Sequence, residues 1–156
     1  MSARLGIAST VALALAAADL AVKASLPADP ALAHHRTQAW MGLSFGILLL
    51  ALLCTRLPSR LFALGAGVFA GGLLGNLGSA VLHGRTIPNP FLAADLAFNL
   101  ADTFVVAGLV LVGIATMGLA VRYRHLLPTH TIPVRLARYV IARRRAMAEN
   151  RATAGG

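Results

Sequence analysis

Four apolar runs constrain this chain more than any other feature: Leu5 to Val22, Ala39 to Thr55, Leu61 to Val81 and Ala97 to Val121. Each is close to the ~17–25 residues that an α-helix needs to cross the hydrocarbon core, the second being the shortest. In lipid every backbone polar group must find its partner inside the segment, so runs of this length are expected as helices. Of the 156 residues, 58% are hydrophobic and only 12% are charged, whereas a soluble domain carries about 25% charged residues. The expected fold is all-α: a polytopic membrane protein, a four-transmembrane-helix bundle with short outer loops. The bundle spans residues 1–121, and 122–156 form a basic cytoplasmic helix or tail.

The basic residues set the expected orientation. Arg4 precedes the first run, Arg56 and Arg60 flank the second connection, and Arg122 and Arg124 follow the fourth run. By the positive-inside rule these ends are cytoplasmic, as are both termini. Residues 23–38 and 82–96 then face outward, with Asp19, Asp29, Asp95 and Asp102 at or near that surface. Beyond Val121 the chain is rich in arginine, and the net charge is +9. No nucleic-acid motif accompanies the charge. Anionic lipid is the better match, either for a surface helix over Pro133 to Asn150 or for a solvated tail. The first run also reads as a cleavable signal peptide, with Arg4, an apolar core and Ala16-Ala17-Ala18. Asp19 and Lys23 argue for a retained helix, because residues four apart share a face and can pair.

Within the third run Gly67, Gly71, Gly75 and Ser79 recur every four residues. Such a stripe lets helix backbones approach closely in lipid. Tight packing alone is one reading of the stripe; the sharper one is that it brings Asn76 against the fourth helix, near Asn99 and Asp102, whose spacing of three puts them on one helical face.

Several chemistries are poor fits. His34, His35, His83, His125 and His130 lack the spacing of metal ligands, so no metal site is expected. Gly42-Leu43-Ser44-Phe45-Gly46 matches G-x-S-x-G by letter. It opens a membrane helix rather than a strand-to-helix turn, and no histidine is placed as its base. The single cysteine, Cys54, excludes an internal disulfide. Paired carboxylates remain, in which one acid keeps a proton while the other activates water. Asp102 suits the first member, and the second would come from the outer loop before it.

The residues resemble the lipoprotein signal peptidase (signal peptidase II) family, four-span aspartic endopeptidases of bacterial plasma membranes. The D-x-x-x-K pair of the first helix matches Asp19 and Lys23. Trp40-Met41-Gly42-Leu43-Ser44-Phe45 echoes N-x-G-A-A-F, and Gly75-Asn76-Leu77-Gly78-Ser79-Ala80 matches half of G-N-x-x-D-R. Phe98-Asn99-Leu100-Ala101-Asp102 matches F-N-x-A-D in full. The departures are Trp40 for asparagine, Ser79 and Ala80 for aspartate and arginine, and shorter outer loops. The family's first catalytic aspartate lies in a V-V-D-F segment. Here the stretch is Ile87-Pro88-Asn89-Pro90-Phe91, so Asn89 replaces that acid; a shift of one residue puts Pro88 there instead.

The resemblance implies an aspartic endopeptidase that cuts signal peptides from diacylglyceryl-modified prolipoproteins. Asp102 would be one catalytic acid, and Asp95 or Asp19 a substitute for the other. Asp19, Lys23, Asn76 and Asn99 would orient substrate or Asp102. No cofactor is implied; the partners are bacterial membrane lipid and a prolipoprotein. Two other readings stand beside it: an inactive relative that binds lipoprotein, lipid or a membrane partner, and an unrelated scaffold.

The orientation is open to a direct test. In intact cells a cysteine at Ser59 is expected to resist an impermeant thiol reagent, and one at Ala94 to react. The reverse pattern would turn the site toward the cytoplasm.

Overall fold

The structure is a computed structural model that describes residues 2–27 and 29–124. The expected basic tail beyond residue 124, with His125 and His130, lies outside the described residues. The chain divides into two compact units, Met1–Leu119 and Ala120–Gly156, and the packing below is that of the first.

In chain order the elements are α1 (Ser2–Ser25), a 3-10 turn (Pro30–Leu32), β1 (His34–His35), α2 (Gln38–Cys54), α3 (Arg60–Leu82), β2 (Thr86–Ile87), β3 (Phe91–Ala93), β4 (Leu96–Phe98) and α4 (Leu100–Arg122). Three helices, α1, α3 and α4, are long and apolar enough to cross a membrane; α2 is apolar but has 17 residues. Large apolar side chains face outward all along them, including Leu13, Leu43, Val106 and Met117. On a water-soluble protein so much exposed apolar surface would be a liability, whereas in lipid it is the natural solvent-facing layer. The molecule is a mostly helical membrane protein.

The helix ends follow from local chemistry. Thr37 caps α2 by accepting from the Trp40 N–H, and Ser59 caps α3 by accepting from the Phe62 N–H, both at 3.1 Å. At the end of α3 Gly84 adopts φ +59°, and the Arg85 N–H turns back to the Ala80 carbonyl. This is the glycine-ended helix stop that ties the last orphan carbonyls.

The connections are more ordered than an all-helical reading expects. β1 pairs antiparallel with β2, His34 opposite Ile87. β3 and β4 form a hairpin, Phe91 opposite Phe98, turned by Ala94 and Asp95, which both have positive φ. Two successive left-handed residues give the turn that matches strand twist. Because Leu96–Phe98 are used in that hairpin, α4 begins at Leu100 rather than at Ala97 as the apolar run suggests. Alternation of apolar residues over so short a stretch is invisible inside a longer apolar run.

Small residues decide how the helices meet. The stripe of Gly67, Gly71 and Gly75 lies on α1, not on α4. A Cβ at Gly67 would stand 2.8 Å from the Ala8 carbonyl oxygen, and one at Gly71 2.9 Å from Leu15 Cβ. A second row on α3, Gly65 and Gly72, faces α4 and continues to Asn76 one turn on. A Cβ at Gly65 would be 2.9 Å from the Val112 nitrogen, one at Gly72 would strike the Ala101 carbonyl, and one at Gly108 of α4 would strike the Phe69 backbone. The α3 helix therefore sits between α1 and α4, with Ala8, Ala12, Ala63, Ala66, Ala70 and Ala101 buried around it.

These contacts separate two superficially equal substitutions. Gly72→Ala should lower thermal stability in detergent, on the order of 1–3 kcal/mol for overpacking. Gly113→Ala meets nothing within 4 Å and should be neutral or raise stability by about 0.4–1 kcal/mol. Equal unfolding midpoints would refute the close-packing account.

Candidate functional site

Asp19 is fully buried in α1, one turn before the equally enclosed Lys23. Lys23 Nζ donates to Asp19 Oδ2 at 2.7 Å, and the two side chains are 1% and 0% exposed. The other carboxylate oxygen, Asp19 Oδ1, accepts from the Ala101 N–H in the first turn of α4 at 2.8 Å. A helix start offers unpaired N–H groups and a positive dipole end, so a buried carboxylate is well placed there. Gly75 makes the approach possible: a Cβ at that position would be 2.6 Å from Asp19 Oδ2.

Asn76 of α3 links the two acids. Its Oδ1 accepts from Lys23 Nζ at 3.0 Å, and its Nδ2 donates to Asp102 Oδ1 at 2.9 Å. Opposite demands on the two ends fix the orientation of this amide. Asn99 and Asp102 then satisfy each other across the helix start. Asn99 Oδ1 accepts from the Asp102 N–H at 3.1 Å, and Asp102 Oδ2 accepts from the Asn99 N–H at 3.2 Å. This is a reciprocal capping box with Asn99 as the cap, not two residues on one helical face as their spacing first suggests.

The chain of bonds continues into the loops. Asn99 Nδ2 donates to Asn89 Oδ1 at 2.7 Å. Asn89 Nδ2 donates to the Leu32 carbonyl and to His34 Nδ1, both at 2.9 Å. The Leu32 carbonyl can only accept, so nitrogen must face it, and His34 Nδ1 must carry a lone pair. Asn89 is 0% exposed and Asn99 1%, while Asp102 is half-buried. Asp102 is therefore the carboxylate of the network that a ligand can reach.

Five of the sequence-derived site residues, Asp19, Lys23, Asn76, Asn99 and Asp102, converge, and Asn89 joins them through Asn99. Asp95 does not. It occupies the exposed tip of the β3–β4 hairpin at φ +66°, where the turn directs the chain back before α4 begins. No hydrogen bond connects it to Asp102 among the described residues, whose partners there are Asn76 and Asn99. Ser79 and Ala80, at the other two motif positions, are buried outside the network. Ser44 is buried within α2.

Three participants escaped sequence reasoning. The Leu32 carbonyl and His34 Nδ1 could not be foreseen, because they come from 57 and 55 residues away. The capping box had a signal: an N-x-x-D segment directly before a long apolar run.

No protein-family model and no curated protein matches this chain. A solved structure described as a bacterial membrane enzyme, determined by the in meso method at 1.9 Å resolution, has a similar fold. Its TM-score is 0.52 at 20% identity, covering 71% of this chain and 92% of that one.

The ion pair can be tested without knowing the ligand. Lys23→Met leaves Asp19 buried without its cation and should cost about 3–5 kcal/mol of stability. Combining it with Asp19→Asn should recover much of the loss. A single variant as stable as wild type in detergent melts would show that the pair does not hold the fold.

Proposed function

We propose that this chain is a divergent signal peptidase II-like protein of a bacterial plasma membrane that holds its ligand without cutting it. The observation that carries this reading is the set of partners around Asp102. They are the Asn76 amide and the Asn99 backbone N–H, with no second carboxylate bonded to it among the described residues. Two-acid hydrolysis needs a proton shared between carboxyl groups. The amide of Asn89, in place of the family's aspartate, can neither take nor give that proton. It is also fully engaged, by Asn99, Leu32 and His34.

In this reading four helices cross the membrane, both termini are cytoplasmic and Asp102 faces outward. The ligand is a diacylglyceryl-modified prolipoprotein. Asp102 accepts a backbone N–H from the segment beside the lipid-bearing cysteine. Asp19, Lys23, Asn76 and Asn99 hold Asp102 in place, and Asn89 ties the loops to the start of α4. The fold likeness to a bacterial membrane enzyme supports the architecture of this reading; the partners of Asp102 support the loss of hydrolysis.

Purified protein incubated with a tagged, diacylglyceryl-modified prolipoprotein should retain it uncleaved. Asp102→Asn should weaken retention about tenfold, equivalent to ~1.4 kcal/mol. Asn89→Asp sets an acid against the Leu32 carbonyl, so any weak cleavage it gains must vanish with Asp102→Asn. Wild-type release of the signal peptide, abolished by Asp102→Asn, would replace this proposal with an active peptidase. Neither binding nor cleavage would leave a scaffold.

A further inference from the structure

Away from the Asp102 network, two buried side-chain donors lack a partner among the described residues: the Ser79 hydroxyl within α3 and, on a charged group, Arg36 Nε. Arg36 Nε is enclosed and unpaired among the described residues, and the guanidinium carbon lies 4.8 Å from the centre of the Trp40 ring. Leaving such a donor unsatisfied is costly, and more so when it is charged. The Arg36 backbone N–H donates to the Arg85 carbonyl at 2.8 Å, which brings two arginines to one end of the bundle. Neither has a carboxylate partner: among the described residues the ion pair is Asp19 with Lys23. Asp29, at the same end, accepts from the Ala31 N–H at 2.8 Å.

A groove of about 540 Å³ runs between α2 and α3, lined by Met41, Phe45, Leu74, Leu77, Val81 and Leu82 among others. Met41 and Phe45 are in the first two turns of α2, and Val81 and Leu82 end α3. The mouth therefore opens at the level of Arg36 and Arg85. From Leu74 to Leu82 the groove is ~12 Å deep at ~1.5 Å per residue. That is less than one leaflet of a ~30 Å hydrocarbon core. At ~100° per residue, Met41 and Phe45 are on nearly the opposite face of α2 from Ile47, Leu50 and Cys54, which line the groove toward α4.

We propose that the groove and the two arginines form a binding site for one molecule of anionic phospholipid. An acyl chain lies along the apolar walls, which offer nothing to satisfy a peptide backbone in lipid. The phosphate accepts from the outer guanidinium nitrogens of Arg36 and Arg85. A guanidinium fork matches phosphate oxygens geometrically and is readily held against an aromatic face. Trp40 sits where indole rings gather, at the level of the headgroups. A neutral lipid would fill the groove yet leave both arginines unpaired. The site is separate from Asp102 and does not depend on the lipoprotein reading.

Full-length protein in a neutral detergent, mixed with phosphatidylglycerol or with diacylglycerol of the same chains, would be examined by native mass spectrometry. One phosphatidylglycerol should be retained, with at least tenfold weaker retention of diacylglycerol. Arg36→Gln and Val81→Trp should each cut retention about tenfold; Val81 is 69% exposed, so the larger ring can be accommodated. Leu13→Trp, on an exposed face of α1, should not change it. Unfolding midpoints are compared throughout, and if Arg36→Gln fails to fold, Val81→Trp and the lipid comparison decide. Equal retention of the two lipids, or undiminished retention in both variants, would overturn the proposal. So would displacement of lipid by millimolar inorganic phosphate, which would mark an ion site alone.

Discussion

Everything at the loop-bearing end of the bundle depends on the buried Asp19 carboxylate. One oxygen takes the Lys23 ammonium and the other takes the Ala101 N–H in the first turn of α4. That single group joins a charge on α1 to the positive end of a helix in a region with little water to compete. The remaining polar atoms then fall into a fixed order. Lys23 holds Asn76, Asn76 holds Asp102, Asp102 exchanges bonds with Asn99, and Asn99 holds Asn89. Each amide has one end facing an acceptor and the other facing a donor, so the direction of every bond is determined.

Such a chain is expensive to assemble, because each polar group loses its water. Backbone proximity makes it feasible. Gly75 admits the Asp19 carboxylate, and the row of Gly65 and Gly72 lets α4 reach Asn76. The glycines on α3 thus serve two purposes at once. They allow dense helix contact in a medium where apolar side chains gain little by leaving lipid, and they shorten the gaps that hydrogen bonds must span.

The amide at position 89 suits its surroundings better than an acid would. An ionised carboxylate there would face the Leu32 carbonyl, two acceptors with no proton between them. The amide nitrogen removes that conflict and adds a tie to His34. Asn89 is a structural clasp between the loop near Leu32 and the start of α4. Asp102 is the half-buried acceptor of the network, bonded by the Asn76 amide and the Asn99 N–H.

The sequence by itself determined the helices, since only long apolar runs satisfy their own backbone in lipid. It also determined the Asp19–Lys23 pair, because residues four apart on a helix must be neighbours. Asn76, Asn99 and Asp102 stood out as polar groups in apolar surroundings. Only the tertiary structure decided which helix each glycine row meets, since a stripe specifies a surface and not its partner. It likewise decided that α4 starts at Leu100, that Asp95 turns away in a hairpin, and that Asn89 is bound from the loop near Leu32 and His34. Those outcomes rest on contacts between residues far apart in the chain, and no local spacing encodes them.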